Sequence, residues 1–409
     1  MADSVVVPAV QVPSTLACLR SLRKRGIRTV VASEKDRPPA FCSRYCDERV
    51  RVPSPEADIQ KYGDALLRLA EREEVRTIIP VREEDVYVLS KRKEEFANHV
   101  GTPWPAFEKL RRVHDRIELY DAARTAGVPV PETHLLTECD DWSRRWIVKG
   151  RYALLTQTYL DEANGVSSDG GSVGTQVERM AGVANPPSTR YLAQREPQKV
   201  EHLCTEAGHV PLLQEFLDDT DEYAFFALYD EGEAVTTFQH RQIRGWAYAG
   251  GPSAFRKSVH IPVLEENGRK LLDHLDWHGL AMVEFKRDGP TGEFKLMEVN
   301  PRFWSSLPFS VQTGADFPFY YWSLATGRRD RIEEGYDVGI GGHLTMGELF
   351  YLYSILTQDA PLVERPSFPK ELAAIASSLV REPRFDYLDP LDPCPGLRYA
   401  YDRVSELWN

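Results

Sequence analysis

Two glutamates, an asparagine and an arginine near residue 290 are the side chains of this sequence best placed to do chemistry. The stretch 281–304 reads AMVEFKRDGPTGEFKLMEVNPRFW. Residues 281–287 and 293–299 are apolar-rich, and Asp288-Gly289-Pro290-Thr291-Gly292 between them is dense in turn formers, which predicts two antiparallel strands. Folding about Pro290 or Thr291 sets Glu284 opposite Glu298 or diagonal to it, on one face, with Cβ atoms roughly 5–8 Å apart. Two facing carboxylates repel unless a cation sits between them. Asn300 points to the same face and adds a neutral oxygen. Such a hard-oxygen set suits a magnesium ion that keeps waters and takes its other ligands from substrate phosphates. Pro301 ends the strand, and Arg302 follows as a planar cation able to grip phosphate or carboxylate. A surface hairpin with solvated charges would show the same spacing.

The elements that must position these groups begin with a βα alternation over residues 1–105. A short apolar strand at 4–8 precedes a helix at 14–25, with Leu16, Leu19 and Leu22 on one face, a Ser14 cap and Gly26 as its stop. A strand at 27–32, a helix at 58–74, a strand at 76–81 and a helix at 84–98 follow. This alternation implies a parallel sheet covered by helices. A dinucleotide site would need GxGxxG after the first strand, where the chain has Ala9-Val10-Gln11-Val12, so NAD is not expected.

The totals bound the class. A length of 409 residues suggests two to three domains. Hydrophobic content of 42% with 27% charged residues is that of a globular chain rather than a disordered one. A formal charge of −12 argues against a nucleic-acid partner, which calls for a basic face. No apolar run approaches the roughly 20 residues that span a bilayer, and the N-terminus lacks a basic n-region and cleavage site, so a cytoplasmic protein without a membrane partner is expected. Six cysteines form no CxxC pair, which favours reduced thiols over disulfides or zinc. Cys42 and Cys46, the nearest two, read as an incidental pair.

Beyond the linker at 101–105 (GTPWP), Val113-His-Asp-Arg116 opens a helix through Ala126. Residues 146–149 form a short strand ending in Lys149-Gly150. That lysine is either a strand-edge charge or a phosphate contact beside the glycine-rich loop 167–174, SSDGGSVG, whose N–H groups can cradle an anion. The polar segment 175–209 carries no assignable chemistry. An apolar strand at 210–217 runs into the acidic residues 218–222, and a strand at 223–229 follows. A strand leaving its sheet offers backbone groups that could read an adenine edge while Phe216 and Leu217 pack on the ring. An ordinary β-connection would look the same.

Taken together, these pieces resemble the ATP-grasp superfamily, and more narrowly its carboxylate–amine ligases related to carbamoyl-phosphate synthetase, biotin carboxylase and D-alanine–D-alanine ligase. The most specific element is Met297-Glu-Val-Asn-Pro-Arg302, which looks like the family's ExNPR signature, with Glu284 on the partner strand. Gln214-Glu-Phe-Leu217 with Glu222 looks like its adenine-and-ribose element. Lys149 looks like its VVKP lysine, with Gly150 where proline is usual. The resemblance implies a mixed α/β and α+β architecture. A Rossmann-like pre-ATP-grasp domain at 1–105 would precede a two-lobed ATP-grasp domain at 106–325 and a helical C-terminal extension at 326–409.

The resemblance also implies roles and partners. ATP and Mg²⁺ (or Mn²⁺) would be the cofactors, with Glu284, Glu298 and Asn300 on the metal. Lys149 would contact the α- and β-phosphates, and Gln214, Glu215, Phe216 and Leu217 would hold adenine, largely through backbone. Glu222 would bind ribose, and Gly170, Gly171, Ser172 and Gly174 would close over the phosphates. Arg302 would steady an acyl-phosphate. Two departures stand out: Asp115-Arg116 replaces the usual Asp-Lys pair, with Arg116 as the nucleotide-side cation, and Ser305 follows NPRFW where many relatives carry glycine. The strand beginning at His240 and its glycine-rich turn, with Ser253 and Arg256 beyond, looks like the region receiving the carboxylate or γ-phosphate, so Arg256 is expected beside Arg302 as a catalytic cation. The implied reaction joins a small carboxylate to an amine (or a thiol) through an acyl-phosphate. The alternatives are a carboxylase-like enzyme and a non-catalytic nucleotide sensor; the sequence leaves the oligomeric state open, a homodimer being the commonest assembly by symmetry. In the tail, helices are expected at 344–356 and 369–380, with an extended, proline-locked end at 388–396. Phe350, Tyr351 and Tyr353 read as a core stripe.

Overall fold

The computed structural model describes residues 2–8, 12–139, 141, 143–165, 180–192, 200–217, 221–360 and 363–406. Its first layer is a four-stranded parallel sheet in the order β3-β2-β1-β4, built from β1 (Ser4–Pro8), β2 (Arg28–Ser33), β3 (Glu48–Arg51) and β4 (Val75–Ile78). Val5, Val6 and Val7 are wholly buried, as expected of a central parallel strand covered on both faces. Helices Pro13–Lys24 and Ile59–Ala70 make the crossovers. The helix expected at 84–98 is two helices, Glu83–Lys91 and Lys93–Ala97, because Arg92 leaves helical geometry (ψ +27°) and pairs with Asp64 and Glu95. The linker at 101–105 is packed down by Trp104, which is buried and donates its indole N–H to Leu89 O at 2.9 Å.

The expected helix at 113–126 is also interrupted. Phe107–His114 and Arg116–Thr125 meet at Asp115, whose extended backbone (ψ 108°) lets its side chain cap Ile117 N–H at 3.0 Å. Next comes a small antiparallel sheet of β5 (Thr133–Leu135), β6 (Trp146–Lys149), β7 (Arg190–Leu192) and β8 (Leu212–Glu215), in the order β5-β8-β6-β7.

The large sheet is antiparallel, in the order β13-β12-β9-β10-β11-β14. It comprises β9 (Asp221–Asp230), β10 (Glu233–Ala247), β11 (Gly250–Ser258), β12 (Gly279–Arg287), β13 (Phe294–Asn300) and β14 (Gly341–His343). Parallel sheet, two antiparallel sheets and helical C-terminal region make the architecture that the resemblance implied.

The tail is woven into both earlier layers. β14 extends the large sheet, and helices Thr345–Thr357, Phe368–Arg381 and Pro393–Glu406 follow it. The last of these corrects the extended end expected at 388–396: Pro393 and Pro395 fall in a first helical turn, where proline's missing N–H costs nothing. The aromatic stripe is corrected in part, since Tyr351 is buried but Tyr353 is 57% exposed. A Cys42–Cys394 disulfide, with Cα atoms 5.9 Å apart, overturns the expectation of reduced thiols for these two cysteines. Beside it Asp392 accepts from Ser43 Oγ (2.8 Å), Arg44 N–H (2.9 Å) and Arg20 Nε (3.2 Å). Among the described residues no helix is long and apolar enough to cross a membrane.

Candidate active site

Alternation along β12 sends Val283 and Phe285 into the core and leaves Met282, Glu284 and Lys286 partly open on the other face. The hairpin register sets Glu284 directly opposite Glu298 and Met282 opposite Asn300. A bulge follows, so that Phe285 meets Leu296, both buried, while Met297 and Glu298 face a common cavity. Asn300 is buried, and its Nδ2 donates to Glu284 Oε1 at 3.0 Å and Glu298 Oε1 at 3.5 Å. Its Oδ1 accepts from Arg302 Nη2 at 3.1 Å.

Two cations reach this pair from other elements, and a third follows the hairpin itself. Arg116, at the start of its helix, donates to Glu298 Oε2 at 2.9 Å and straps the end of β6 by bonding Gly150 O (2.8 Å) and Tyr152 O (3.1 Å). Lys149 Nζ lies 3.4 Å from the same Glu298 oxygen. Arg302 Nε donates to Glu83 Oε1 at 2.8 Å, and the other Glu83 oxygen meets His114 Nε2 at 3.1 Å. Against the raising effect of burial, Lys149 and Arg116 hold the Glu298 carboxyl well below its ordinary range. Glu284 moves the other way: burial, then the Glu298 and Glu222 carboxylates, push it up to about 8. Glu284 is a carboxylate for which the site supplies an amide but no ion-pair partner among the described residues.

Two cavities meet at Lys149, Thr189 and Glu298. One, about 310 Å³, lies between the small sheet (Ile147, Tyr191, Glu215–217) and β9, β12 and β13. The other, about 370 Å³, is walled by Glu83, Arg116, Asn185, Ser188, Asn300 and Arg302. A cleft between two antiparallel sheets, with paired carboxylates on a β-hairpin at its centre, is a specific arrangement.

No family model matches the chain, and no curated protein matches it. Solved structures do. The biotin carboxylase domain of Hydrogenobacter thermophilus 2-oxoglutarate carboxylase, in complex with MgADP, ADP and bicarbonate, is 14% identical with a TM-score of 0.59, covering 83% of this chain and 74% of that one. An N5-carboxyaminoimidazole ribonucleotide synthetase in complex with ADP is 14% identical with a TM-score of 0.59, covering 92% and 96%. N5-carboxyaminoimidazole synthetase from Staphylococcus aureus with ADP is 14% identical with a TM-score of 0.57, covering 83% and 82%. The chain has the ATP-grasp fold.

Within the ATP-grasp cleft, the residues expected at the site divide. Glu284, Glu298, Asn300, Arg116, Lys149 and Arg302 come together as described. Glu215, Phe216, Leu217 and Glu222 line the first cavity. The Phe216 N–H is already donated to Arg145 O at 3.0 Å, so it is not free to read a ligand. The Glu215 carboxylate is held by Lys295 at 2.8 Å and the Glu132 N–H at 3.0 Å. Gln214 turns inward instead: it is wholly buried, and its amide donates to Tyr120 Oη (2.8 Å) and Thr133 Oγ1 (3.1 Å). Gly170, Gly171, Ser172 and Gly174 lie outside the described residues.

Arg256 is not brought to either cavity. Its side chain is 1% exposed, paired with Asp386 of the tail and set over the Phe309 ring. The expectation failed because Asp386, 130 residues away, claims the guanidinium. His240 is a core residue bonded through Nε2 to Ser306 Oγ at 3.0 Å. Sequence reasoning missed Glu83, which holds Arg302, and Lys286, which pairs with Glu222 at 3.1 Å. It also missed 185–189, in the segment to which it assigned no chemistry. Only Lys286 carried a readable signal, lying two residues from Glu284 on a strand and so on the same face.

The donor set fits a hard divalent cation, because Glu284 and Glu298 face each other beside an amide and only Glu298 has cationic partners. A further group, Asp230, Glu231 and His278, could gather a metal by proximity. It sits eight residues along β9 from Glu222, roughly 25 Å at a strand's rise per residue. None of the three lines either cavity, and Asp230 is paired with Arg329 at 3.3 Å.

Proposed function

We propose that the chain is an ATP- and Mg²⁺-dependent ligase that activates a small carboxylate as its acyl-phosphate and passes the acyl group to an amine. The observation that carries this reading is the Glu284–Glu298 pair, bridged by Asn300, where the two cavities meet. The first cavity takes the nucleotide: Phe216 and Leu217 against adenine, backbone of Glu215 and Leu217 at its edge, and Glu222 at the ribose. Lys149, shared by both cavities, sits where the phosphates would cross from one to the other. Glu284 and Glu298, with Asn300 beside them, would hold Mg²⁺, which would supply charge neutralisation for those phosphates.

The second cavity takes the carboxylate. One of its oxygens attacks the γ-phosphorus, forming a C(O)O–P bond as ADP leaves. The amine nitrogen then attacks the carbonyl carbon, expelling phosphate and losing a proton. The chain's own contribution is alignment and electrostatics. Arg302, fixed by Glu83 and Asn300, faces the acyl-phosphate, and Arg116 holds Glu298 and the Lys149–Gly150 segment in register. The likeness to a biotin carboxylase solved with bicarbonate supports a second reading, in which bicarbonate is the carboxylate.

The test is Mg²⁺-dependent ADP release against amino acids, dicarboxylates and bicarbonate, offered singly and in pairs with amines. One pair is expected to yield ADP and a new amide. Glu298→Gln is expected to lower that rate by about 10²–10³-fold, the cost of removing one preorganised group that faces developing charge. A bicarbonate-only requirement would replace the amide-forming reading with the carboxylase one. A purified protein that binds no ATP with Mg²⁺ would remove both.

A further inference from the structure

One wall of the nucleotide-side cavity is the turn joining β10 to β11, where Ala249, Gly250 and Gly251 line the space. Gly250 and Gly251 have φ of +125° and +100°, a backbone that side chains other than hydrogen rarely adopt. The ladder leading to the turn is irregular, with register shifts between Gln242 and Arg244, Arg244 and Gly245, and Gly245 and Ala247. The strands stay paired up to Ala247 and Gly250, but out of regular register.

The tail braces this irregular turn from outside the hairpin. The Tyr248 N–H donates to Ser354 Oγ at 3.0 Å, and its hydroxyl donates to Gln358 O at 3.2 Å and accepts from the Ala360 N–H at 3.0 Å. Trp246 packs on Phe350 with ring centroids 5.4 Å apart. The close approach needs Gly347, where a Cβ would lie 2.9 Å from Ala254 Cβ and 3.0 Å from the Trp246 ring. Further back, Arg244 grips Glu348 with two bonds of 2.7 and 2.9 Å. On the cavity side, the Gln242 amide links Gly251 O, at 3.3 Å, to Glu222. Ser354, Gln358 and Ala360 themselves line neither cavity.

We propose that helix Thr345–Thr357 with residues 358–360 is a latch that fixes the β10–β11 turn as a wall of the nucleotide cavity, with Tyr248 as its positioning residue. The latch rests on the nucleotide reading above and adds to it a coupling between tail packing and nucleotide affinity. Such coupling is reciprocal, so bound nucleotide must tighten the tail that it never touches.

Hydrogen exchange and calorimetry on the full chain, with MgADP as the probe, test this. MgADP is expected to slow exchange across 345–360 in the wild type. Tyr248→Ala is expected to weaken MgADP binding by about tenfold and to abolish that protection. Tyr248→Phe keeps the ring but loses both hydroxyl bonds, and should fall between. Should Tyr248→Ala fail to fold, Ser354→Ala removes the acceptor of the Tyr248 N–H, together with the hydroxyl's own bond to Tyr351 O within the helix, and is expected to weaken MgADP by about threefold. Wild type that binds MgADP with unchanged exchange at 345–360, together with wild-type affinity in the Tyr248 and Ser354 variants, overturns the latch while leaving the nucleotide reading intact. Wild type that binds no MgADP overturns the nucleotide reading, and the latch falls with it.

Discussion

On the β10–β11–β14 side of the large sheet, Arg256 meets Asp386 and Arg244 meets Glu348, each guanidinium with a carboxylate and all four side chains under 10% exposed. At the β12–β13 edge, Glu284 and Glu298 face each other across the hairpin while Arg116 and Lys149 both attend Glu298. Both regions carry arginines and carboxylates in similar number, and composition does not tell them apart. Pairing does. In the first case every buried charge faces an opposite charge, so the pair is neutral as it stands even though Arg256 Nε and one Asp386 oxygen have no hydrogen bond. A cluster in which one carboxylate has two cations and its neighbour has none is incomplete, and the missing charge is what a metal or a substrate would bring.

The largest effect expected from this contrast is on stability in the paired region. Asp386→Ala leaves Arg256 buried among Phe309 and the Ser253 carbonyl with no carboxylate, which costs about 3–5 kcal/mol in systems of this kind. Burial raises the Asp386 carboxyl and Arg256 pulls it back, so the pair depends on both partners being present. Urea unfolding of the variant measures the loss. A change under about 1 kcal/mol, the value of an exposed pair, would break the contrast.

A smaller, pH-dependent effect belongs to His240, in that region. Burial, with Arg256 adding to it, pushes the imidazole down to about 3, and its ring is packed against Phe226 and Phe309. The unfolded chain takes up a proton near pH 6.5 that the folded chain refuses until about pH 3, so stability is intact above the first value and declines as pH falls toward the second. The slope approaches about 1.4 kcal/mol per pH unit for this group. Stability curves from pH 7 to 4 are expected to flatten in His240→Gln, which keeps a partner for Ser306. An unchanged slope would mean that His240 is protonated in the folded protein.

The hairpin was legible because its information is local. Period-two alternation, a turn-forming pentapeptide and an asparagine two residues beyond Glu298 lie within 24 consecutive residues, and the register that follows is the expected one. The β6 strand ending in Lys149 was legible for the same reason. Arg256 was misread because the residue that decides its role lies in the tail. Glu83 was invisible because its partner Arg302 is 219 residues away. Cys42 and Cys394 are 352 residues apart, and no spacing rule reaches that far. Asp115 and Arg92 break helices that hydrophobic periodicity continues through, since each side chain is bound by a partner outside its own helix. What the sequence hides is therefore which charges are already spent.

The smallest expected effect sharpens the contrast most. Glu284→Gln removes a carboxyl that burial and the neighbouring Glu298 push upward, so in metal-free protein its charge is disfavoured and the neutral amide replaces a group whose ionised form the site does not stabilise. Metal-free stability is then expected to move by less than about 0.5 kcal/mol, the range of an ordinary surface change, although Glu284 stands in the hairpin at the centre of the cleft. The same variant is expected to lose the stabilisation that Mg²⁺ with ADP confers on the wild type, which depends on ligand bound to the folded state alone. Thermal unfolding with and without MgADP reads both quantities in one experiment. A metal-free loss comparable to that of Asp386→Ala would make Glu284 a member of a completed structural pair, and the two regions of the sheet would no longer differ in kind.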